Sequence, residues 1–132
     1  MAEKIDAADH LILIELGGNN LIAGEPSETF ERALDSLLAK LAAPGRTIAM
    51  FELPLLPNRI AFGQIQRRLA EKYRVSLIPK RYFAAIIAGP EATSDGLHLT
   101  DEGSRRMAAL VAQVLSPVLK LQPVLTNPAT HP

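Results

Sequence analysis

The sequence predicts an α/β domain in which helices pack on a parallel sheet. Short apolar runs alternate with amphipathic segments in the order β-α-β-α-β-α, which is the pattern of parallel strands joined by helical crossovers. The runs are nearly continuous rather than alternating, as is typical of strands buried on both faces. The length of 132 residues fits one domain, and no apolar run is long enough to span a bilayer.

Three apolar runs predict the strands. Leu11–Leu16 is the first strand, and a glycine turn follows it. The second strand covers Thr47–Glu52 and the third covers Val75–Ile78. Residues 2–8 are expected to form the end of a helix. The segments between the runs are long enough for helical crossovers, so the three strands are expected to lie parallel.

Helical periodicity predicts the connecting elements. After a loop over Asn20–Glu25, a helix begins at Pro26 and ends before Gly45. A second helix precedes the third strand, a short apolar helix covers Tyr82–Ala88, and a last helix ends close to Pro117. The apolar residues at helical spacing in the three long helices are Phe30, Leu34, Leu37, Leu38 and Leu41; Phe62, Ile65, Leu69 and Tyr73; and Met107, Leu110, Val111, Val114 and Leu115.

The composition argues against several function classes. The formal charge is zero, with 14 basic and 14 acidic residues, and no basic run indicates binding to nucleic acid or to an anionic membrane. Without cysteine, a disulfide framework and a thiolate zinc site are impossible. The three histidines, His10, His98 and His131, are too far apart for metal-ligand spacing. No signal-peptide pattern precedes the first strand, and the compartment is left open.

A carboxylate and a histidine lie close together ahead of the last helix. Asp95 comes three residues before His98, and on a tight loop this spacing lets the carboxylate fix the tautomer of the imidazole. The other ring nitrogen is then available as a general base. Thr100 is a good N-cap for the helix that follows. The alternative is a solvated loop whose aspartate and histidine are incidental.

A second candidate site follows the first strand. Gly17 and Gly18 allow a sharp turn at the end of the strand where open α/β sheets place their ligands. Asn19 then presents a neutral amide N–H₂ group, which suits a donor to an oxyanion. The alternative is an ordinary strand-to-loop turn, because glycine and asparagine are common turn formers.

In their order and separation, the two stretches resemble the SGNH/GDSL hydrolase family. Glu15–Asn20 resembles the family's third block, G-x-N-D, and Asp95–His98 resembles its fifth block, D-x-x-H. The likeness is closest to the small bacterial thioesterase/lysophospholipase and arylesterase branch. It covers about residues 5–119, which is nearly the whole chain.

This resemblance implies a fold, an activity and a set of site residues. The fold is a three-layer α/β/α, flavodoxin-like parallel sheet. The activity is hydrolysis of an acyl or aryl ester, or of a thioester, by a Ser-His-Asp triad that needs no cofactor. His98 would be the base, Asp95 its orienter and Asn19 an oxyanion donor, with Gly17 and Gly18 forming the turn beside it.

The chain departs from the family in its nucleophile. The G-D-S block that carries the family's serine is absent, and Asn20 stands where the third block has aspartate. None of the six serines lies in a G-D-S or G-x-S-x-G context; they are Ser27, Ser36, Ser76, Ser94, Ser104 and Ser116. We therefore expect an N-terminally truncated domain, the C-terminal two-thirds of such an enzyme, over residues 1–121. A disordered proline-rich tail is expected over residues 122–132.

The missing block leaves three interpretations open. The chain is part of an ester hydrolase, or a catalytically dead binding or scaffold domain with the same fold, or an unrelated α/β domain. In the family the strand carrying the nucleophile lies beside the strand matched by Leu11–Leu16, so this strand is expected to be an uncovered edge. A second copy of the chain or an N-terminal partner chain is expected to pair with it.

The expected substrate contacts are apolar. The loop Leu53–Pro57 is stiff and follows the second strand, and Leu55 and Leu56 are the candidates for substrate binding. Phe83, Ile86 and Ile87 flank the expected site, and the two isoleucines are expected to belong to the core. Apolar walls with a few placed polar groups suit acyl or aryl esters.

Overall fold

The computed structural model describes residues 5–6, 8–53, 60–95 and 98–120. The elements in this part of the chain are β1 (Leu11–Ile14), α1 (Gly18–Ala23), α2 (Ser27–Leu41), β2 (Thr47–Phe51), α3 (Ile60–Tyr73), β3 (Ser76–Ile78), α4 (Lys80–Ile87) and α5 (Asp101–Lys120). None of these helices is long and apolar enough to cross a membrane. The predicted α/β class, with a parallel sheet and helices on it, is confirmed.

The three strands form one parallel sheet in the order β1-β2-β3. Leu11 pairs with Thr47, and Ala49 pairs with Ser76. The helices α2 and α3 provide the two crossovers. Right-handed crossovers that advance in one direction place their helices on the same face of the sheet. Because the strands are parallel, their carboxyl ends lie at the same end of the sheet. The Gly17–Asn19 turn follows the first strand at that end.

Each face of the sheet has its own hydrophobic cluster. Ile48 and Met50 of β2 lie in the cluster formed with α2 and α3, whereas Ala49 and Phe51 lie in the other, because successive strand residues point to opposite faces. The rings of Phe30 and Phe62 join α2 to α3, with centroids 4.8 Å apart. The second cluster is smaller, and α4 and α5 supply its helical side chains.

Polar contacts on the surface also link α2 to α3. Lys72 Nζ lies 2.7 Å from Asp35 Oδ1, and the Tyr73 hydroxyl donates to the same oxygen at 2.9 Å. These hydrogen bonds, that from Lys72 first, hold the pKa of Asp35 below its ordinary value, and the same partnership raises the pKa of Lys72.

Buried polar side chains secure the end of β2. The amide of Gln66 is fully buried; its oxygen accepts from Leu53 N at 2.8 Å and its nitrogen donates to Phe51 O at 3.1 Å. Glu52 is also buried; it forms an ion pair with Arg67 and accepts from Lys80 N at the start of α4. These contacts fix the point where the backbone leaves the sheet after β2.

Several element boundaries differ from the prediction. The segment Asn20–Glu25, expected to be a loop, contributes to the helix α1, and residues 5, 6 and 8 are not helical although residues 2–8 were expected to end a helix. Pro117 lies inside α5 and close to the end of that helix at Lys120, as predicted. Ile86 and Ile87, which were expected in the core, are only half-buried, because α4 places no buried residue against the sheet.

Each strand is also shorter than predicted, by one or two residues at an end. The ladder with β2 ends at Ile14, which pairs with Met50. The apolar run continues to Leu16, but the backbone there is already turning toward Gly17. Hydrophobicity marks burial, whereas strand assignment requires a paired neighbour.

The strand β1 lies at one edge of the sheet. Among the described residues it pairs with β2 alone, and its Leu13 is 41% exposed. A hollow of about 400 Å³ lies along this strand and is lined by all four β1 residues together with Leu37 and Leu41. The apolar edge predicted at this strand is therefore present in the described part of the chain.

Candidate active site

The loop between α4 and α5 holds the predicted carboxylate–histidine pair in contact. Asp95 Oδ2 lies 2.6 Å from His98 Nδ1, and His98 N donates to Asp95 Oδ1 at 2.8 Å. A carboxylate engaged by both the backbone and the ring fixes the ring's rotation. Because an ionised carboxylate only accepts, the 2.6 Å contact assigns the proton to Nδ1. Nε2 of His98 is then the basic nitrogen.

A short ladder outside the pair holds the loop closed. Thr93 and Leu99 form an antiparallel bridge, and Ser94 N donates to His98 O at 2.9 Å. Thr100 Oγ1 accepts from Gly103 N at 3.1 Å, as expected for the N-cap of α5, and donates to Glu91 O at 2.5 Å. The loop is thereby fastened to the first turn of a 20-residue helix.

Gly103 lets α5 approach this loop closely. A Cβ built on Gly103 would lie 2.0 Å from Ala92 O and 2.9 Å from Ala92 C. Ala92 is fully buried, and its carbonyl accepts from Thr100 N at 3.0 Å. Only glycine permits this close contact between α5 and the backbone of the loop that carries His98.

The start of α5 carries a compact charge cluster. Glu102 accepts from Arg105 at 2.9 Å and from Arg106 at 2.8 Å, and these bonds, that from Arg105 first, lower the pKa of Glu102. Arg106 also donates to Pro90 O at 3.1 Å. The cluster therefore connects α5 to the beginning of the loop that carries the histidine.

The turn after β1 takes the strand directly into α1. Gly17 adopts a left-handed conformation, with φ of 99°, and a Cβ there would meet Phe30 at 2.7 Å. Glycine is required on both counts. The short helix buries Leu21, while Asn19 remains exposed at its first turn.

One cavity brings the two predicted stretches together. It has a volume of about 680 Å³, and both Asn19 and His98 line it. The two residues therefore lie at the same end of the sheet, as expected. The other lining residues are Leu13, Glu15, Gly18, Ile22, Phe51, Phe83, Leu99, Ser104, Met107, Ala108 and Val111.

Most of the apolar wall gives no signal in the sequence. Phe83 was expected near the site, but Ile22, Phe51, Met107 and Val111 were not. The helical spacing of Met107 and Val111 predicts core residues, and spacing cannot distinguish a helix face that meets the sheet from one that lines a cavity. Leu55 and Leu56 lie outside the described residues, so their contact with substrate stays a prediction.

Two curated proteins match this chain in sequence. An arylesterase of Vibrio mimicus is 32% identical over 111 residues, which cover 80% of this chain and 55% of the arylesterase. Esterase TesA of Pseudomonas aeruginosa is 27% identical over 116 residues, which cover 83% of this chain and 57% of TesA. This chain is related to the SGNH/GDSL hydrolases. It spans little more than half the length of the curated relatives it matches.

Two solved structures have the same fold as this chain. The psychrotrophic esterase EstA from Pseudoalteromonas sp., in a structure inhibited by monoethylphosphonate, gives a TM-score of 0.74 at 20% identity over 84% of this chain and 63% of EstA. A crystal structure of TesA gives 0.70 at 23% identity over 83% of this chain and 63% of TesA. No protein-family model matches the chain.

Two serines of this chain lie close to the site. Ser94 Oγ lies 3.3 Å from His98 O, to which it donates, so its contact is with the backbone of the histidine. Ser104 lines the cavity from the first turn of α5. Neither has the G-D-S context of the family's nucleophile.

Within the described residues, no group of three or more histidine, aspartate or glutamate side chains could hold a metal ion. The cavity is lined by the imidazole of His98, which contacts Asp95, by the side-chain amide of Asn19 and by apolar side chains.

Proposed function

We propose that this chain supplies the base, the orienting carboxylate and an oxyanion donor of a serine ester hydrolase. The observation that carries the proposal is that His98, already paired with Asp95, lines the same cavity as Asn19. The relationship to an arylesterase and an esterase makes ester hydrolysis the chemistry to be explained.

The proposed reaction uses each group at a stated atom. A serine hydroxyl gives its proton to Nε2 of His98 as its oxygen attacks the ester carbonyl. Asp95 stabilises the imidazolium through Nδ1–H, and the side-chain amide of Asn19 donates to the carbonyl oxygen as that oxygen becomes negative. The imidazolium then protonates the leaving alkoxide. Water, deprotonated by the same nitrogen, releases the acid from the acyl-serine and restores the hydroxyl.

The cavity favours an acyl or aryl group on the substrate. Its walls are mainly aliphatic and aromatic, with Phe51, Phe83 and Met107 among them. Asn19 and His98 are among its few polar groups, and this supports an ester bond that lies between them in the proposed complex. Thioester hydrolysis and lysophospholipid hydrolysis use the same groups and belong to the same proposal.

The nucleophile is proposed to come from a segment other than these 132 residues, which contain no G-D-S motif. In the described part of the chain β1 is an apolar edge, at which Leu13 is 41% exposed. A strand added at that edge would satisfy its backbone groups and would end beside Asn19. We propose that such a strand carries the serine. A second copy of this chain paired through β1 is the alternative occupant.

Complementation tests this proposal. The chain is fused to, or co-expressed with, an N-terminal segment of an esterase relative that carries the G-D-S block, and hydrolysis of p-nitrophenyl acetate is measured. We expect activity in the complemented protein and none in the chain alone. Asn19→Ala should lower kcat about 10²–10³-fold, the usual loss for one oxyanion donor, and His98→Ala should abolish the activity.

His10→Ala is the matched control, because His10 lies outside the cavity, and it should leave the rate unchanged. A complemented protein that folds, as judged by circular dichroism, but hydrolyses no ester would refute the enzymatic proposal in favour of a binding domain. Hydrolysis by the chain alone that disappears with His98→Ala would refute the assignment of the nucleophile to another segment.

Light scattering over a dilution series tests the β1 edge. We expect the chain alone to associate at micromolar concentration and the complemented protein to remain a single complex. A stable 14.3 kDa species, with β1 amides protected from exchange, would show that the strand is satisfied within one chain.

A further inference from the structure

Asn20 and Glu25 are joined twice across the helix α1. Asn20 Nδ2 donates to Glu25 Oε2 at 2.7 Å in a partly buried contact. Glu25 N donates to Asn20 O at 3.1 Å. The side-chain bond has a carboxylate acceptor, which makes it stronger than a bond between two neutral groups.

The helix α1, which contains Asn20, needs a fastening outside itself. It has six residues, no side-chain cap at its N-terminus and no charged residue in its first or last turn. An isolated helix of this length is unstable in water. Both ends are left-handed glycines, Gly17 with φ of 99° and Gly24 with φ of 74°.

Asn19 depends on this helix for its position. It lies in the first turn, directly before Asn20, and its side chain is exposed at the cavity. The main apolar anchor of the helix is Leu21. One buried leucine limits the helix's distance from the sheet, but it does not fix rotation about the helix axis. The hydrogen bond from Asn20 to Glu25 ties the helix to the segment that follows it, which restrains this rotation.

We propose that Asn20 and Glu25 are positioning residues for Asn19, an inference that rests on the proposed role of Asn19 as oxyanion donor. The pair has a fixed polarity, because the amide must donate and the carboxylate can only accept. Position 20 is where this chain departs from the G-x-N-D block by having asparagine instead of aspartate. Aspartate at that position would put two carboxylates at a separation of 2.7 Å. Glu25 therefore makes asparagine the required residue in this chain.

A polarity-reversal cycle tests the pair in the 132-residue chain. Asn20→Asp should break the bond by like-charge repulsion and raise amide exchange at Leu21, Gly24 and Glu25 about 10-fold or more, the loss expected for a hydrogen bond to a charged group. The double variant Asn20→Asp/Glu25→Gln restores a donor and a carboxylate in exchanged positions. It should return exchange to within about threefold of the original chain.

Glu28→Gln is the matched control for loss of a carboxylate. Glu28 is exposed in the first turn of α2, and its substitution should not change exchange at α1. If Asn20→Asp leaves exchange and the side-chain amide signals of Asn19 unchanged, the pair does not position this segment. If the double variant exchanges as fast as Asn20→Asp, the effect is not a hydrogen bond between these two side chains. Either result overturns the inference.

Kinetics of the complemented protein separate this inference from the proposed function. We expect Asn20→Asp to lower kcat at least about 10-fold with KM nearly unchanged, because the amide acts on the transition state, and the double variant to restore it. If Asn19→Ala lowers kcat but Asn20→Asp does not, the positioning role alone is overturned. If Asn19→Ala has no effect on kcat, the oxyanion role itself fails.

Discussion

Replacing Gly103 by alanine should destabilise the protein and displace the histidine loop. The introduced Cβ would lie 2.0 Å from Ala92 O, whereas real Cβ contacts are essentially never under 3.0 Å. The helix or the loop must therefore move by about 1 Å. Ala92 is fully buried, and because the first atom met is backbone, no change of rotamer relieves the clash.

The size of the effect follows from what the displacement removes. Overpacking of this kind costs about 1–3 kcal/mol, and loss of the bond from Thr100 N to Ala92 O costs about 0.5–1.5 kcal/mol. Alanine is favoured over glycine within a helix by about 1 kcal/mol, which opposes both terms. Gly18→Ala carries the same preference, and no atom lies within 4 Å of its Cβ.

The measured quantity is the difference between the two substitutions in the free energy of unfolding. Because the helix preference cancels, Gly103→Ala should be less stable than Gly18→Ala by about 1.5–4.5 kcal/mol. Urea denaturation followed by circular dichroism gives both values. Chemical shifts of His98 should change in Gly103→Ala. Equal stability of the two variants, with unchanged His98 shifts, would refute the argument that a close approach at Gly103 sets the loop.

Three further predictions concern polar groups. Gln66→Leu should lower the free energy of unfolding by about 2–6 kcal/mol, because it leaves two buried backbone groups unsatisfied at about 1–3 kcal/mol each. An unchanged urea midpoint would contradict this. Asp35 and Glu102 have lowered pKa values in the fold, so the stability they contribute is present above their ordinary pKa values and is lost as pH falls through the lowered ones. The double variant Asp35→Asn/Glu102→Gln should therefore lose less stability below about pH 4.5 than the original chain does. Urea titrations that show the same loss of stability at low pH in both proteins would contradict this. Long-range ¹H–¹⁵N spectra should show His98 protonated on Nδ1, and Asp95→Ala should shift the tautomer toward Nε2–H; an unchanged tautomer would show that the carboxylate does not set it.

The regular elements could be predicted because their signals are local. The apolar run at Leu11 and the helical spacing from Phe30 to Leu41 each specify an element without knowledge of the rest of the fold. The Asp95–His98 contact belongs to the same category, since three residues on a tight loop bring the two side chains within reach. The role of that contact in catalysis stays a proposal.

The elements that were missed depend on contacts made after folding. Gly18, Asn19 and Asn20 have poor helix propensity, and they are helical because Gly17 turns the chain and Glu25 fastens it. Most of the cavity wall gave no signal in the sequence either, because side chains from β1 and α5 form it together only in the folded chain. Leu16 shows the opposite error, because an apolar residue beyond the last ladder pair looks like a strand in sequence alone.

The order of the strands in the sheet has a consequence for synthesis. Each strand pairs with the one made immediately before it, so the sheet can grow in one direction as the chain leaves the ribosome, while its contacts remain few and local. Asn19 is synthesised before His98, and the loop that carries His98 is fixed in place only after α5 has been synthesised.

The second face of the sheet is also completed only when α5 is made, because Leu115 of α5 belongs to the hydrophobic cluster with Phe51 and Ile78. A ribosome that pauses before α5 would therefore carry a sheet whose second face is covered only by α4, and no assembled site. Until α5 is made, the apolar side chains of that face are only partly covered, which favours aggregation of the intermediate.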